Sequence, residues 1–402
     1  MWVATGGRAP VLDERAALVP LTRFQGYIPD IMTSSLDTAR PGSPVRPRRT
    51  GLLLAGDIGG TKTALAVYSA DRGPRAPLAH CVFPSARYTS LAVMVREFLA
   101  GTSLAVDRAS FAVAGPVIAG SARVTNLSWD LDETGLAAEL ELDSVHLLND
   151  LEAIGDAVPS LEPSDLHLLN PGEPVAGGAR AVIAPGTGLG EAFLIYDGAR
   201  YRAFPSEGGH ADFAPTSELE AGLLAYLRER FGHVSVERVC SGPGLLNIYH
   251  YLRDSGHAAE SAELARALPA AKYAPPLIGG AALRADPDPL SRAALDLLVS
   301  ILGAEAGNLA LKVLSLGGVY LAGGIPPRIL PALANGRFLR AFTAKGRMEE
   351  VLARVPVSVV ALEAALLGAA LRGLELARDG GAERRGEGLG TAELAAAQVD
   401  GS

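Results

Sequence analysis

Cysteine is scarce in this 402-residue chain, in which Cys81 and Cys240 are the only two. Two cysteines cannot build a disulfide framework or a cysteine-based zinc site, and their scarcity leads us to expect a reducing, cytoplasmic location. Aromatic residues are also few, at 5%, but 49% of the residues are apolar and 20% are charged. That balance excludes a largely disordered chain, because enough aliphatic surface is present to build a core.

Long uncharged runs and a surplus of basic residues are missing as well. The longest stretch without Asp, Glu, Lys or Arg is Val313–Pro327, which contains glycine and proline and is shorter than the roughly 18 residues of a membrane-spanning helix. The net charge is −8, and residues 1–50 hold seven arginines against four acids, which leaves −11 on the rest. We therefore expect neither a membrane nor a nucleic acid as a partner.

Both ends of the chain lack a folding pattern, whereas the middle alternates strands with helices. Residues 1–50 are predicted to form an irregular extension and residues 379–402 a flexible tail. Between them, the alternation predicts an α/β architecture. The predicted strands are Leu52–Ala55, Ala64–Tyr68, Ser110–Ala114, Val145–Leu148, Ala181–Ala184, Phe193–Tyr196, Val319–Ala322 and Val357–Ala361. The clearest predicted helices are Ser217–Arg230, Leu290–Leu314 and Glu363–Ala377.

A strand, a glycine turn with threonine and a second strand occur twice, at Leu52–Tyr68 and Val182–Tyr196. Two related α/β halves facing a cleft would explain the repeat, although its shortness leaves coincidence open. Such turns expose backbone N–H groups that can cradle phosphate oxygens from both sides, while plain β-hairpins are the alternative. The candidate phosphate-binding residues are Gly59, Gly60 and Thr61 in the first turn and Gly186, Thr187, Gly188 and Gly190 in the second.

Two further features adjoin apolar strands. Asp57 ends the first strand, where it could hold Mg²⁺ through water, because magnesium favours one or two carboxylates plus substrate phosphates. A solvated surface Asp is the alternative. Gly323 and Gly324 lie between a strand and a helix predicted to begin at Pro326. The backbone there could touch an adenosine, and close packing of helix on strand is the other interpretation.

Asn149 and Asp150 follow a buried strand and precede a helical segment. Because α/β folds bind ligands at the carboxyl ends of strands, Asp150 is the candidate general base for a hydroxyl, with Asn149 as its hydrogen-bonding neighbour. The alternative is that Asp150 only caps the helix.

Further along, a glycine turn carries Glu207 and His210, and Glu237 follows. These groups could form hydrogen bonds with adjacent hydroxyls of a sugar. The alternative is a structural histidine with acids that only lie on the surface. A metal site is less expected, because no further His or Cys lies at ligand spacing.

Taken together, these motifs resemble the bacterial glucokinase family, within the sugar kinase/hexokinase/actin superfamily. The similarity runs in order from about Leu52 to Arg372. It is carried by Asp57-Ile-Gly-Gly-Thr61, Ala114-Gly-Pro-Val117, Thr125-Asn126, Asn149-Asp150, Gly186-Thr-Gly-Leu-Gly190, Glu207-Gly-Gly-His210-Ala-Asp-Phe-Ala-Pro215, Gly232-His-Val-Ser235, Glu237-Arg238-Val, Ser241-Gly-Pro-Gly244 and Leu321-Ala-Gly-Gly-Ile325. The departures are Lys62, where relatives often have Asn, Pro185, where many have Ala or Gly, and both terminal extensions. The Cys-rich zinc motif of the repressor/kinase branch does not follow His210, so zinc is not predicted.

The resemblance implies an enzyme that phosphorylates D-glucose to glucose 6-phosphate with ATP and Mg²⁺. It implies Asp150 as the catalytic base, while Asp57 and the glycine loops, including Ala322–Gly324, serve Mg-ATP. The residues assigned to glucose are Asn126, Asn149, Asp150, Glu207, His210 and Glu237.

The resemblance also implies a fold and an assembly. The fold is the two-domain actin-like ATPase (ribonuclease H-like) fold, with a cleft between a small domain at 51–160, completed by a C-terminal helix at about 361–378, and a large domain at 161–360. A homodimer is the implied assembly. Two alternatives stay open, a kinase for mannose, glucosamine or an acylated amino sugar, and a sugar-sensing regulator without catalysis. The phosphoryl donor, whether ATP, ADP or polyphosphate, is also open.

Overall fold

The computed structural model describes residues 50–124 and 127–378. The strands in this part of the chain are β1 (Leu52–Ile58), β2 (Lys62–Ser69), β3 (Ala79–Pro84), β4 (Arg108–Val113), β5 (Val117–Ile118), β6 (Ser121–Arg123), β7 (Asp130–Asp132), β8 (Ser144–Asn149), β9 (Leu166–Asn170), β10 (Arg180–Pro185), β11 (Leu189–Tyr196), β12 (Tyr201–Ser206), β13 (Gly318–Leu321) and β14 (Val357–Val360). The α-helices are α1 (Leu91–Thr102), α2 (Glu133–Glu139), α3 (Asp150–Ala157), α4 (Glu218–Phe231), α5 (Gly242–Asp254), α6 (Ala262–Ala270), α7 (Pro275–Ala282), α8 (Pro289–Val313), α9 (Leu330–Leu333), α10 (Arg337–Thr343), α11 (Glu349–Ala353) and α12 (364–378).

Two larger sheets share one topology. The first has the strand order β3-β2-β1-β4-β8, and the second has the order β12-β11-β10-β13-β14-β9. In each, three strands joined by hairpins run antiparallel, and two parallel strands follow: β4 and β8 beside β1, and β13 and β14 beside β10. The repeated strand–turn–strand pattern of the sequence therefore occupies the same position in both sheets, as a duplicated half would.

The long helix α8 is the core of the second half. Its 25 residues are long and apolar enough to cross a bilayer by length and composition, but most of the apolar stretch is buried inside the protein. It packs against α5, α7 and α10. Leu298 and Leu302 belong to a large apolar cluster that also includes Ile183 and Leu321 of the second sheet. A helix that is apolar on most of its circumference is stable here because neighbouring helices and a sheet surround it.

Two helices with small residues, α3 and α12, lie against both sheets. Helix α3 packs on β4 and β8 of the first sheet and on β10, β11 and β12 of the second. At Gly155 an added Cβ would come 2.6 Å from the Cβ of Ala203 in β12, and at Gly368 of α12 it would overlap the carbonyl of Ala153 in α3. On the other side, a Cβ at Gly373 would come 2.7 Å from the Leu53 side chain in β1. Glycine and alanine thus let these helices approach closely.

Ion pairs fix α12 just before its start and near its middle. The Lys62 Nζ lies 2.7 Å from the Glu363 Oε1, one residue before α12 begins. Within α12, the Arg372 guanidinium lies 2.7 Å from Asp156 and 3.3 Å from Glu152, both on α3. These contacts hold α12 against the first hairpin and against α3.

The eight predicted strands and three predicted helices are all present. The helix predicted to begin at Pro326 does begin there, as a 3₁₀ helix, Pro326–Ile329, which continues into the short α9. The strands of the first sheet end at Asn149 and those of the second begin at Leu166, while the assignment of domains at 51–160 and 161–360 stays a prediction. The predicted tail, and the predicted extension up to residue 49, lie outside the described residues.

Candidate active site

Strand β1 brings Asp57 to the carboxyl edge of the first sheet, between β2 and β4. The chain then turns at Gly59, whose N–H donates to the Lys62 carbonyl at 3.1 Å, and a Cβ at Gly59 would lie 2.8 Å from that same oxygen. The turn therefore requires glycine. Burial raises the pKa of Asp57 to about 6; the nearby Lys62 opposes this shift and Glu363 adds to it.

Asn149 and Asp150 stand where β8 ends and α3 begins, and Asn149 is the residue that caps the helix. Its Oδ1 accepts hydrogen bonds from the N–H groups of Leu151 at 2.9 Å and Glu152 at 3.2 Å. Its Nδ2 donates to the Gly115 carbonyl at 2.9 Å, which leaves one amide hydrogen free for a ligand. The alternative that Asp150 caps the helix is therefore wrong, since Asp150 is the first residue of α3 itself.

The carboxyl of Asp150 is strongly perturbed by its surroundings. Burial, together with the negative charges of Asp57 and Glu207, raises its pKa to about 7. The Leu151 N–H, which lies 2.9 Å from the Asp150 Oδ1, acts in the opposite direction. The charges of Asp57 and Glu207 both act on Asp150, so carboxylates from β1, from the start of α3 and from the turn after β12 lie near one another.

The second glycine turn joins β10 to β11 and is held by Glu237. The Gly186 N–H donates to the Gly188 carbonyl at 2.8 Å, which closes the turn. The Oε2 of Glu237 accepts from the Leu189 N–H at 2.9 Å, and a Cβ at Gly188 would lie 2.5 Å from that oxygen. A residue assigned to the sugar is thus in direct contact with a turn assigned to phosphate.

A short 3₁₀ turn, Gly208–His210, follows β12; Glu207 is the residue before it and His210 is its last residue. Their side chains are 73% and 62% exposed, with 3.7 Å between the Glu207 Oε2 and the His210 Nε2, so both are accessible to a ligand. A Cβ at Gly208 would overlap the carboxylate of Glu191, and one at Gly209 would overlap the Leu189 carbonyl. The double glycine is needed because this turn lies directly on β11.

The third glycine loop lies beside the second. Gly323 has φ +79°, and a Cβ there would come 2.9 Å from the Pro185 carbonyl at the end of β10. The Ile325 N–H donates to that same carbonyl at 3.3 Å. At Gly323, close packing is therefore what the structure shows, whereas a Cβ at Gly324 would meet nothing within 4 Å. The backbone at Gly324 is the part of this loop with room for a nucleotide.

Sequence reasoning missed Glu191, which lies behind the Glu207 turn. It is 1% exposed on β11, and burial together with the negative charge of Glu305 raises its pKa to about 7, while Lys312 opposes the shift. A charged residue at an inward position of an otherwise apolar strand was the available signal. Asn126, the remaining sugar candidate, lies outside the described residues.

Comparison with known proteins gives one consistent answer. The family model described as Glucokinase matches residues 54–375. A glucokinase of Nostoc punctiforme is 44% identical over 335 residues, which cover 80% of this chain and 98% of that protein. The crystal structure of a glucokinase from an Antarctic psychrotroph is 30% identical, has a TM-score of 0.66 and covers 81% of this chain and 99% of that one. A ROK family glucokinase from Streptomyces griseus, solved with glucose and AMPPNP, is 20% identical to this chain and has a TM-score of 0.56. The match covers 82% of this chain and 100% of that one. This similarity concerns the fold, which is the actin-like ATPase fold.

Proposed function

The chain belongs to the glucokinase family, and from that premise we propose that it transfers the γ-phosphoryl group of ATP to the 6-hydroxyl of D-glucose, with Asp150 as the general base. The environment of Asp150 is the observation that carries the assignment of the base. A carboxyl with a pKa of about 7 is half ionised near neutral pH, where it can both accept a proton and release it again. The match to the family supports the substrate and the donor.

In the proposed reaction, the sugar 6-hydroxyl donates a hydrogen bond to the Asp150 carboxylate. The proton passes to that carboxylate as the 6-oxygen attacks the γ-phosphorus, and the bond from phosphorus to the oxygen of the leaving ADP breaks. Phosphoryl transfer depends on positioning and charge stabilisation more than on covalent help from the protein. The N–H groups of Gly59, Gly186 and Leu189 already donate within the protein. Other backbone N–H groups of the turns at Gly59–Thr61 and Gly186–Gly190 would supply dipoles for the phosphate oxygens.

Four exposed or half-exposed side chains would orient the sugar. Glu207 and His210 share one turn, and Glu237 keeps one carboxylate oxygen, Oε1, beyond its bond to Leu189. Asn149 offers its remaining amide hydrogen. Acceptors and donors on several elements can distinguish a hexose by its hydroxyl pattern, because each unmatched hydroxyl would leave a polar group unpaired.

The residues around Asp57 fit a magnesium ion. Burial raises the pKa of Asp57, and a divalent cation beside this carboxyl would favour its charged form. Mg²⁺ takes oxygen ligands and commonly keeps water between itself and one or two carboxylates. When bound with ATP, it would neutralise the charge that develops on the phosphate oxygens. Asp57 is the residue proposed to hold it.

The substitution Asp150→Asn tests this proposal, with Asp71→Asn, an exposed residue after β2, as the matched control. Asparagine retains an oxygen that can accept from the Leu151 N–H, and Asn149 continues to cap α3, so the variant should fold. We expect kcat to fall by about 10²–10⁴ while the affinity for glucose changes little. A folded Asp150→Asn protein with nearly full turnover would overturn the role of Asp150. The reaction itself is tested by assaying the unsubstituted protein with a panel of hexoses and phosphoryl donors. No turnover with glucose and ATP in that panel would overturn the proposed reaction.

A further inference from the structure

A second polar cavity lies apart from the residues assigned to glucose and nucleotide. It measures about 250 Å³ and opens between the segment before α4, helix α8 and helix α10. Its polar lining consists of Thr216, Ser300, Arg337, Arg340 and Lys345. One water needs only about 10–15 Å³ of such volume, so the cavity can admit a small polyatomic ion.

The two arginines of this cavity have little negative charge to balance them. Arg340 is exposed and forms no ion pair with any residue in the described ranges. Arg337 reaches Asp296 with 3.3 Å between Nη2 and Oδ2, but its Nε is buried without a hydrogen-bond partner. The same Asp296 carboxylate also accepts from Arg292 at 3.2 Å. One carboxylate therefore serves two guanidinium groups, and a buried donor is left over.

Lys345 is the third cationic side chain in the lining of this cavity. Its Nζ donates to the Oδ1 of Asn308 at 2.7 Å, a neutral partner, so further ammonium hydrogens remain for a ligand. Burial lowers the pKa of Lys345, although Glu305 and Glu220 counteract that shift. A negatively charged ligand in the cavity would favour the charged form of this lysine.

We propose that this cavity binds inorganic phosphate or a small phosphate monoester. Arg337 and Arg340 present planar guanidinium donors, which match the oxygens of a phosphate in pairs, and Lys345 adds a point charge. Ser300 contributes a hydroxyl. The site is separate from the glucose and ATP sites of the proposed function and does not depend on them.

Equilibrium dialysis with radiolabelled inorganic phosphate tests the proposal on the full chain at constant ionic strength. Saturating glucose and a non-hydrolysable ATP analogue fill the proposed active site, so that phosphate bound there does not contribute. Arg340→Gln is the test variant, and Arg347→Gln, an exposed arginine in the turn after α10 that does not line the cavity, is the matched control. We expect one phosphate per chain, with affinity reduced about tenfold or more by Arg340→Gln and unchanged by Arg347→Gln.

Competition by glycerol 3-phosphate distinguishes the two forms of the ligand. Displacement at lower concentrations than unlabelled phosphate requires would identify a phosphate ester, and weaker displacement would identify inorganic phosphate. Three results would overturn the proposal: no binding up to about 10 mM, equal losses in both variants, or no loss in Arg340→Gln. Turnover of Arg340→Gln with glucose and ATP, measured without added phosphate, should match the unsubstituted protein, so this outcome is independent of the role of Asp150.

Discussion

Glu237 accepts a hydrogen bond from the backbone N–H of Leu189, with 2.9 Å between Oε2 and nitrogen. The carboxylate that is proposed to orient glucose thereby also fixes the turn that is proposed to hold phosphate. Gly188 lies so close that a Cβ would come 2.5 Å from the same oxygen. Sugar and nucleotide would therefore be positioned by one side chain, which favours alignment of the hydroxyl with the γ-phosphorus.

Two substitutions at Glu237 should separate these roles. Glu237→Gln keeps an oxygen for the Leu189 N–H and loses the charge, so we expect the KM for glucose to rise about tenfold and the KM for ATP to change little. Glu237→Ala removes both contacts, and we expect both KM values to rise. Steady-state kinetics with each substrate varied measures this, with the exposed Glu229→Gln of α4 as control. An unchanged KM for ATP in Glu237→Ala would contradict the link between the two sites.

The contact between α3 and α12 should be sensitive to a single methyl group. A Cβ at Gly368 would overlap the carbonyl of Ala153, so Gly368→Ala must push the helices apart, and we expect a loss of about 1–3 kcal/mol in unfolding free energy. Gly279→Ala in α7 is the matched control, because a Cβ there meets nothing within 4 Å. It should be neutral or stabilise by about 0.4–1 kcal/mol. Equal effects in urea unfolding would show that the contact is not tight.

The local patterns of the sequence were enough to predict both glycine hairpins and the position of Asp150. Apolar runs mark β1, β4, β8 and β10 as buried strands, and glycine marks the turns, so these features depend on neighbours in sequence. The strands that were missed are edge strands or belong to the small sheet β5-β6-β7. β3 and β12 alternate partly buried with exposed residues, and β12 also contains Pro205, which argues against a strand in a sequence pattern.

Contacts between distant elements could not be predicted in the same way. Glu305 raises the pKa of the buried Glu191 because α8 packs against the second sheet, at β10, and no local pattern predicts that the two acids act on one another. The division of roles between Asn149 and Asp150 likewise required backbone geometry, since either residue type caps a helix well. The fold brings the two sheets together, and only then do the carboxyls of Asp57, Asp150 and Glu207 come near one another.

The buried acid Glu191 predicts a pH dependence of stability. The folded state holds the pKa of this group at about 7 against an ordinary value of 4.5, so between these values the folded protein keeps a proton that the unfolded chain has released. The contribution of Glu191 to stability is therefore fully present below about pH 4.5 and is lost as the pH rises to about 7. The 2.5-unit difference corresponds to roughly 3 kcal/mol.

Glu191→Gln should remove this contribution, since an amide does not titrate. We expect the difference in unfolding free energy between pH 5 and pH 8 to be smaller in Glu191→Gln than in the unsubstituted protein. Asp57 and Asp150 also have raised pKa values, but both are present in the two proteins and their effects cancel in the comparison. Glu229→Gln serves as the control with unchanged pH dependence. Parallel stability curves for the unsubstituted protein and Glu191→Gln would contradict the raised pKa.

The proposed base predicts the acid side of the activity profile. Asp150 must be ionised to accept a proton, so kcat/KM for glucose should rise with pH up to about 7, with close to a tenfold change per pH unit well below that value, and then level off. The negative charge of Glu207 is one of the causes that raise the pKa of Asp150. Removing that charge makes ionisation of Asp150 easier.

Glu207→Gln should therefore move the acid limb of the kcat/KM profile to lower pH. The same substitution also weakens the contacts with glucose, because an amide offers one acceptor oxygen where the carboxylate offers two, and this lowers the whole profile without displacing its midpoint. The height and the midpoint thus report two separate effects of Glu207. Glu229→Gln, which is exposed on α4, should change neither. A lower profile with an unmoved midpoint would leave Glu207 as a glucose ligand that does not act on the base, and a midpoint moved to higher pH would contradict Asp150 as the titrating group.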